Sequence, residues 1–239
     1  MAGGRAAMIL AAGRGERMRP LSDDCPKPLL EAGGKPLIVW QVEALARAGY
    51  RDLVINVAHL ADRFAARLGD GGELGVSIRW SREPEPLETA GGVATALPLL
   101  PRGPLLVVSG DIWTAFDYAT LDPRRAAMAA SSEGPRAHLV MVPNPAYHPR
   151  GDFHLRGDTL QLAGEPRLTF GNIALYDSAL FAELPPGRKL KMLPLYERWI
   201  GAGIASGERY DGPWANVGTP ADLADLDARL RAASPELRP

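Results

Sequence analysis

The chain carries one cysteine, Cys25, among 239 residues. A single thiol builds neither a disulfide framework nor a cysteine-based zinc site, so a reducing, cytoplasmic setting is expected. An excess of charge of one sign is also missing, because 27 Lys and Arg stand against 28 Asp and Glu, a net charge of -1. Without a basic field to neutralise phosphates, a nucleic-acid partner is not expected. No stretch reaches the roughly 18 apolar residues of a membrane span, so no membrane partner is expected either. The short apolar start, Ala6 to Ala12, runs into a Gly-Arg-Gly loop and is read as a strand, not as an export signal. Two phosphate motifs are absent. The dinucleotide fingerprint needs a third glycine where Met18 stands, and the P-loop needs Gly-Lys-Ser/Thr.

Hydrophobic residues make up 46% and charged residues 23%, which is globular composition and excludes intrinsic disorder. Gly 26 and Pro 22 are more than an average chain carries and have no period, so many sharp loops are expected. Apolar runs at Ala6–Ala12 and Leu53–Val57 read as buried strands, and Val76–Trp80 and Pro104–Ser109 as a third and a fourth strand. Between them, Leu37, Trp40, Ala44, Leu45 and Ala48 fall at helical spacing and end on Gly49. Leu60, Phe64 and Leu68 give a second helix, and Thr89 to Leu97 a third. This alternation predicts an α/β fold with parallel strands and crossover helices. Beyond Trp113 the pattern loosens. Strands are expected at Ala137–Val142 and Leu168–Tyr176, and a short helix at Tyr196–Gly201. A final helix is expected after Thr219, with Pro220 at its first position and Asp222 at its third.

Residues 10–30, LAAGRGERMRPLSDDCPKPLL, concentrate the chemistry. A strand feeds a loop in which Gly13 and Gly15 let the backbone approach a phosphate, and Arg17, Arg19 and Lys27 supply charge-assisted contacts to it. The segment resembles the signature of the sugar-1-phosphate nucleotidylyltransferases: strand, glycine-rich loop, Arg-Met, Pro, then Lys-Pro-Leu. Four further stretches are similar to that family. PLETAGGVATAL (86–97) resembles its base-recognition loop, VVSGDIW (107–113) its metal-binding strand end, RGDF (150–153) with LTFGNIALY (168–176) its sugar site, and WANVGTP (214–220) its second metal segment.

The resemblance implies one domain spanning 1–239, a Rossmann-like, GT-A-like nucleotidyltransferase fold with a mixed, mostly parallel central sheet flanked by helices. Residues 5–113 would bind nucleotide, and 114–239, with the C-terminal helix, would bind sugar. It implies transfer of a nucleotidyl group from a nucleoside triphosphate to a sugar-1-phosphate, assisted by Mg²⁺, in a monomer or small homo-oligomer. Arg17, Lys27 and Asp111 would be catalytic. Ala11, Ala12, Gly13, Gly15, Glu16, Arg17, Lys27, Glu88, Thr89, Ala90 and Gly91 would bind nucleotide. Gly110, Arg150, Asp152, Asn172 and Lys191 would bind sugar. Asp111 and Asn216 would hold the metal. Asn216 departs from the family, which commonly has Asp there; an amide oxygen can ligate Mg²⁺ but brings no charge. The short length and the motif combination favour UTP with N-acetylmuramate-1-phosphate. GTP with mannose-1-phosphate and UTP with glucose-1-phosphate are the alternatives. Glu88 keeps guanine recognition open, and Asn216 raises a non-catalytic nucleotide-sugar sensor as the competing reading.

Overall fold

The apolar run of β1 (Arg5–Leu10) is buried on both faces: Ala7 and Ile9 enter one hydrophobic cluster and Met8 the other. A strand covered on both sides belongs in the middle of a sheet. The computed structural model describes residues 5–134 and 136–232 and places β1 there. The remaining strands are β2 (Glu31–Ala32), β3 (Lys35–Pro36), β4 (Tyr50–Val57), β5 (Ser77–Arg82), β6 (Pro104–Ser109), β7 (Ile112–Thr114), β8 (Ala137–Val142), β9 (Phe153–Arg156), β10 (Thr159–Gln161), β11 (Arg167–Asp177), β12 (Ala205–Arg209) and β13 (Trp214–Asn216). Nine of them form one sheet in the order β5-β4-β1-β6-β11-β8-β12-β10-β9. Neighbours from β5 to β6 are parallel, as are β8 and β12. Only β11 and β10 run against the common direction, so the sheet is mixed and mostly parallel.

Helices cover both faces. They are α1 (Leu21–Asp24), α2 (Leu37–Arg47), α3 (Ala61–Leu68), α4 (Glu88–Ala96), α5 (Asp122–Ala130), α6 (Leu193–Gly201) and α7 (Pro220–Ala232). Residues of α2, α3 and α5 pack on one face of the sheet through Ile38, Val42, Phe64 and Met128. Those of α4 and α6 pack on the other through Val93, Tyr196 and Trp199. The expected start of α7 is present: Thr219 and Asp222 cap each other, with Thr219 N donating to Asp222 Oδ2 at 2.8 Å and Asp222 N to Thr219 Oγ1 at 3.3 Å. No helix among the described residues is long and apolar enough to cross a membrane.

Two tertiary contacts position the site. First, β13 pairs antiparallel with β7, Asn216 opposite Ile112, and Val217 N donates to Asp111 O at 3.1 Å. This sets the segments expected to hold metal side by side. Second, Gln41 of α2, fully buried, donates from Nε2 to Ile112 O at 2.9 Å and fixes the chain just after Asp111.

Candidate active site

A cleft of about 830 Å³ opens at the C-terminal ends of β1, β4 and β6, where open parallel sheets place their ligands. Its floor is the loop after β1. Gly13 has ordinary φ, and a Cβ added to it would meet nothing within 4 Å, so no protein packing demands glycine there. The missing side chain leaves backbone open to the cleft. Gly15 is different: its φ is +64°, and a Cβ would come within 3.0 Å of Lys27 Cβ. It also accepts hydrogen bonds on its carbonyl from Met18 N and Ser22 Oγ, both at 2.8 Å, which lock the loop.

Lys27 is 8% exposed, and its Nζ lies 2.7 Å from Asp111 Oδ2. The Asp111 side chain keeps 31% exposure, so the pair is set into the cleft wall with its anionic side open. Arg17 is exposed at the mouth, near Gly218 and the Asp222 carboxylate that caps α7. Arg14, Arg17, Lys27 and Lys189 give the cleft four cations from three segments, a setting suited to a polyphosphate.

The structure brings most of the expected nucleotide residues together. Ala11, Ala12, Gly13, Gly15, Glu16, Arg17, Lys27, Glu88, Thr89 and Asp111 all line the cleft. Ala90 and Gly91 do not. They are buried in α4, and their amides donate to Leu190 O at 3.0 and 3.2 Å, so they are spent on the protein. Asn56 and Lys189 also line the cleft, and no sequence motif points to either. Asn56 lies inside an apolar strand run, where its polarity is the available signal. Lys189 belongs to a basic cluster that reads as solvated surface.

The expected sugar residues are scattered. Asn172, at φ +58°, lines a second cavity of about 110 Å³ with Phe170, Tyr176 and Tyr196; it adjoins the cleft at Leu10, Thr89 and Ser109. Gly110 is buried between Leu10 and Pro28, with its amide on Leu10 O at 2.9 Å. Asp152 stands behind the second cavity: its Oδ2 accepts from Phe170 N at 2.8 Å and its Oδ1 lies 3.1 Å from His148 Nε2. Arg150 and Lys191 are exposed and line none of these cavities. Lys189, two residues earlier, takes the cleft position instead.

Asp111 and Asn216 offer one carboxylate and one amide, hard oxygen donors of the kind Mg²⁺ takes along with substrate phosphates and water. Asn216 lines a third cavity of about 320 Å³ beside Tyr147 and Asp222. Burial pushes the Tyr147 phenol up, and the neighbouring Asn216 side chain acts in the opposite direction. Residues that fit a divalent ion are therefore present on adjacent backbone segments.

The nucleotidyl transferase family model matches residues 6–146. The chain belongs to that family and is a nucleotidyltransferase enzyme of the kind that acts on sugar-1-phosphates. Among curated proteins it is 43% identical, over 93% of its length and 96% of the relative's, to N-acetylmuramate alpha-1-phosphate uridylyltransferase of Neisseria meningitidis. Its identity to the protein of that name from Caulobacter vibrioides is 34%, over 95% of this chain and 97% of that one. A mannose-1-phosphate guanylyltransferase of Mycobacterium tuberculosis is 34% identical, but over only 48% of this chain and 32% of its own. Among solved structures, a Bacillus anthracis chain described as a glucose-1-phosphate thymidylyltransferase, in complex with sucrose, superposes with TM-score 0.81 at 21% identity, covering 96% of each chain. HddC from Yersinia pseudotuberculosis, complexed with GMP-PN, superposes with TM-score 0.77 at 17% identity, covering 94% of this chain and 99% of that one. Both structural likenesses speak to the fold.

Proposed function

We propose that the chain transfers a uridylyl group from UTP to N-acetylmuramate α-1-phosphate, releasing pyrophosphate. The observation that carries this reading is the 43% identity to the Neisseria relative across nearly the whole of both chains. The guanylyltransferase similarity covers only about half of this chain and a third of that protein.

The chemistry is an in-line attack of a sugar-phosphate oxygen on the α-phosphorus, in which positioning and charge neutralisation do most of the work. In this reading Arg17, exposed at the mouth, holds the β- and γ-phosphates and steadies the leaving pyrophosphate. Lys27, fixed against Asp111, neutralises charge at the α-phosphate. Residues Gly13 to Glu16 present backbone to the nucleotide, and Thr89 and Glu88 face the base from the opposite wall. The sugar lies toward Asn172 and the second cavity, with Lys189 near its phosphate. Asp111 and Asn216 would hold Mg²⁺, which supplies charge neutralisation to the reacting phosphates.

Pyrophosphate release tests this. UTP, GTP, CTP, ATP and dTTP are each paired with N-acetylmuramate-, N-acetylglucosamine-, glucose- and mannose-1-phosphate in the presence of Mg²⁺. Turnover confined to UTP with the muramate sugar is the expected result. Activity with GTP and mannose-1-phosphate instead would overturn the substrate assignment and keep the mechanism. Nucleotide binding without any turnover would favour a sensor.

A further inference from the structure

Beside the cleft, and outside the residues given roles above, lies a buried carboxylate with no cation beside it among the described residues. Glu83 directly follows β5 and is 6% exposed. Its hydrogen-bond partners are neutral: Oε1 accepts from Asn56 Nδ2 at 2.7 Å, and Oε2 accepts from Leu87 N at 2.9 Å. Asn56, near the end of β4 and 3% exposed, in turn accepts on Oδ1 from Ala11 N at 2.9 Å. One continuous chain of hydrogen bonds therefore runs from Ala11 through Asn56 and Glu83 to Leu87. It ties the loop that follows β1 and the loop that follows β5 to the end of β4.

Those loops are the walls of the cleft. Ala11 lines one wall, Glu88 and Thr89 the other, and Asn56 lines the cleft between them. Glu88 stands immediately after the anchored Leu87 and holds φ at +61°, a conformation that a non-glycine residue keeps only when its surroundings impose it. Helix α4 packs bare backbone on the pair: a Cβ on Gly92 would lie 2.7 Å from Asn56 Nδ2 and 2.9 Å from Glu83 Oε1. A buried charge without a counter-ion is costly, and an apolar pair would fill the same space at less cost. Stability alone does not account for it.

We propose that Asn56 and Glu83 are a positioning pair that fixes the separation of the two cleft walls and thereby the binding of the nucleoside triphosphate. The inference rests on the reading of the cleft as the nucleotide site. Only a carboxylate accepts from both Asn56 and Leu87. In Glu83→Gln one oxygen becomes an NH₂ that faces another donor, so one link opens. Asn56→Asp places two carboxylates at the same contact, and they can bond only when they share a proton. The shared O–H then replaces the Nδ2–H donor.

The test measures nucleoside triphosphate affinity by calorimetry, and KM and kcat by pyrophosphate release, across a pH series, with Tm recorded alongside. Glu83→Gln is expected to raise Kd and KM for the triphosphate about tenfold, the effect of losing one buried hydrogen bond, with a smaller change in kcat. Asn56→Asp, compared with the wild type at each pH, is expected to show a similar rise at alkaline pH and to recover toward wild type as pH falls. A merely structural role would lower Tm without that pH-dependent recovery. Wild-type affinity in both variants overturns the positioning pair, as does a KM rise in Asn56→Asp that ignores pH. If Asn56→Asp does not fold, Gly92→Ala presses a methyl on the same pair and must raise KM; an unchanged KM overturns the proposal. Failure of the wild type itself to bind any nucleoside triphosphate overturns the reading of the cleft, and the pair with it.

Discussion

Replacing Gly91 by alanine sets two effects of opposite sign against each other. Gly91 lies inside α4 with ordinary helical φ, so helix propensity alone predicts a gain of about 1 kcal/mol for alanine. The structure predicts a loss. A Cβ there would stand 2.1 Å from Arg188 O and 3.1 Å from Leu190 N, and both are backbone atoms that cannot swing aside. Relieving the contact moves the 188–190 segment away from α4. That segment is held by Ala90 N and Gly91 N on Leu190 O, at 3.0 and 3.2 Å, and by Leu190 N on Leu87 O at 2.9 Å. Losing these three bonds at about 1 kcal/mol each outweighs the propensity gain and leaves a net loss of about 2 kcal/mol. For a chain of this size that is a Tm drop of roughly 4–8 °C. Lys189 moves with the segment, so KM for the phosphorylated substrates rises as well. Gly201→Ala, at the end of α6 with nothing within 4 Å, is the control and should leave Tm unchanged or slightly higher. Calorimetry and steady-state kinetics on both variants decide the matter. A Gly91→Ala protein as stable as wild type, with unchanged KM, would refute the idea that this backbone contact builds the cleft wall.

Three further outcomes are expected. Asn216→Asp adds a charge to the candidate metal site and should lower the Mg²⁺ concentration for half-maximal rate; an unchanged value would take Asn216 out of the metal's surroundings. Arg150→Ala should leave KM for the muramate and N-acetylglucosamine sugar phosphates alike, because Arg150 lines none of the cavities; a rise confined to the muramate sugar would show that its loop reaches the substrate. Burial holds the Glu83 carboxyl above its ordinary range, against the opposing pull of its bonds from Asn56 and Leu87. The folded state therefore binds this proton more tightly than the unfolded chain. The Glu83 contribution to stability is most favourable below the ordinary carboxyl pKa and declines as pH rises through the raised one. Urea unfolding of wild type and Glu83→Gln over that range should show the wild type losing ground as pH rises, and parallel curves would contradict it.

Which parts of this molecule are legible in its sequence follows from where the burial falls. The strands β1, β4 and β6 are apolar runs inside the sheet, the edge strand β5 alternates buried and exposed residues, and α2, α3 and α7 carry either a stripe or a cap, so local pattern and tertiary role agree. The strand β12 reads Ala-Ser-Gly-Glu-Arg and carries no such pattern. One of its faces is polar because Ser206 and Glu208 serve buried His138 on β8, at 2.8 and 3.2 Å from its ring nitrogens. In the same way α5 buries only Met128 among its residues, so it has no apolar stripe to read. The site divides along the same line. Residues of the β1 loop fall into the cleft together because a contiguous motif carries them. The choice between Lys189 and Lys191 is set by the backbone bonds of Leu190 to α4, which no local pattern records. Asn56 makes the point from the other direction. A polar residue inside Leu53–Val57 is a local inconsistency in a buried strand, and it is resolved only by Ala11 and Glu83, which are 45 and 27 positions away. Inconsistencies of that kind, more than the motifs that agree with their surroundings, are where a sequence points to work done at a distance.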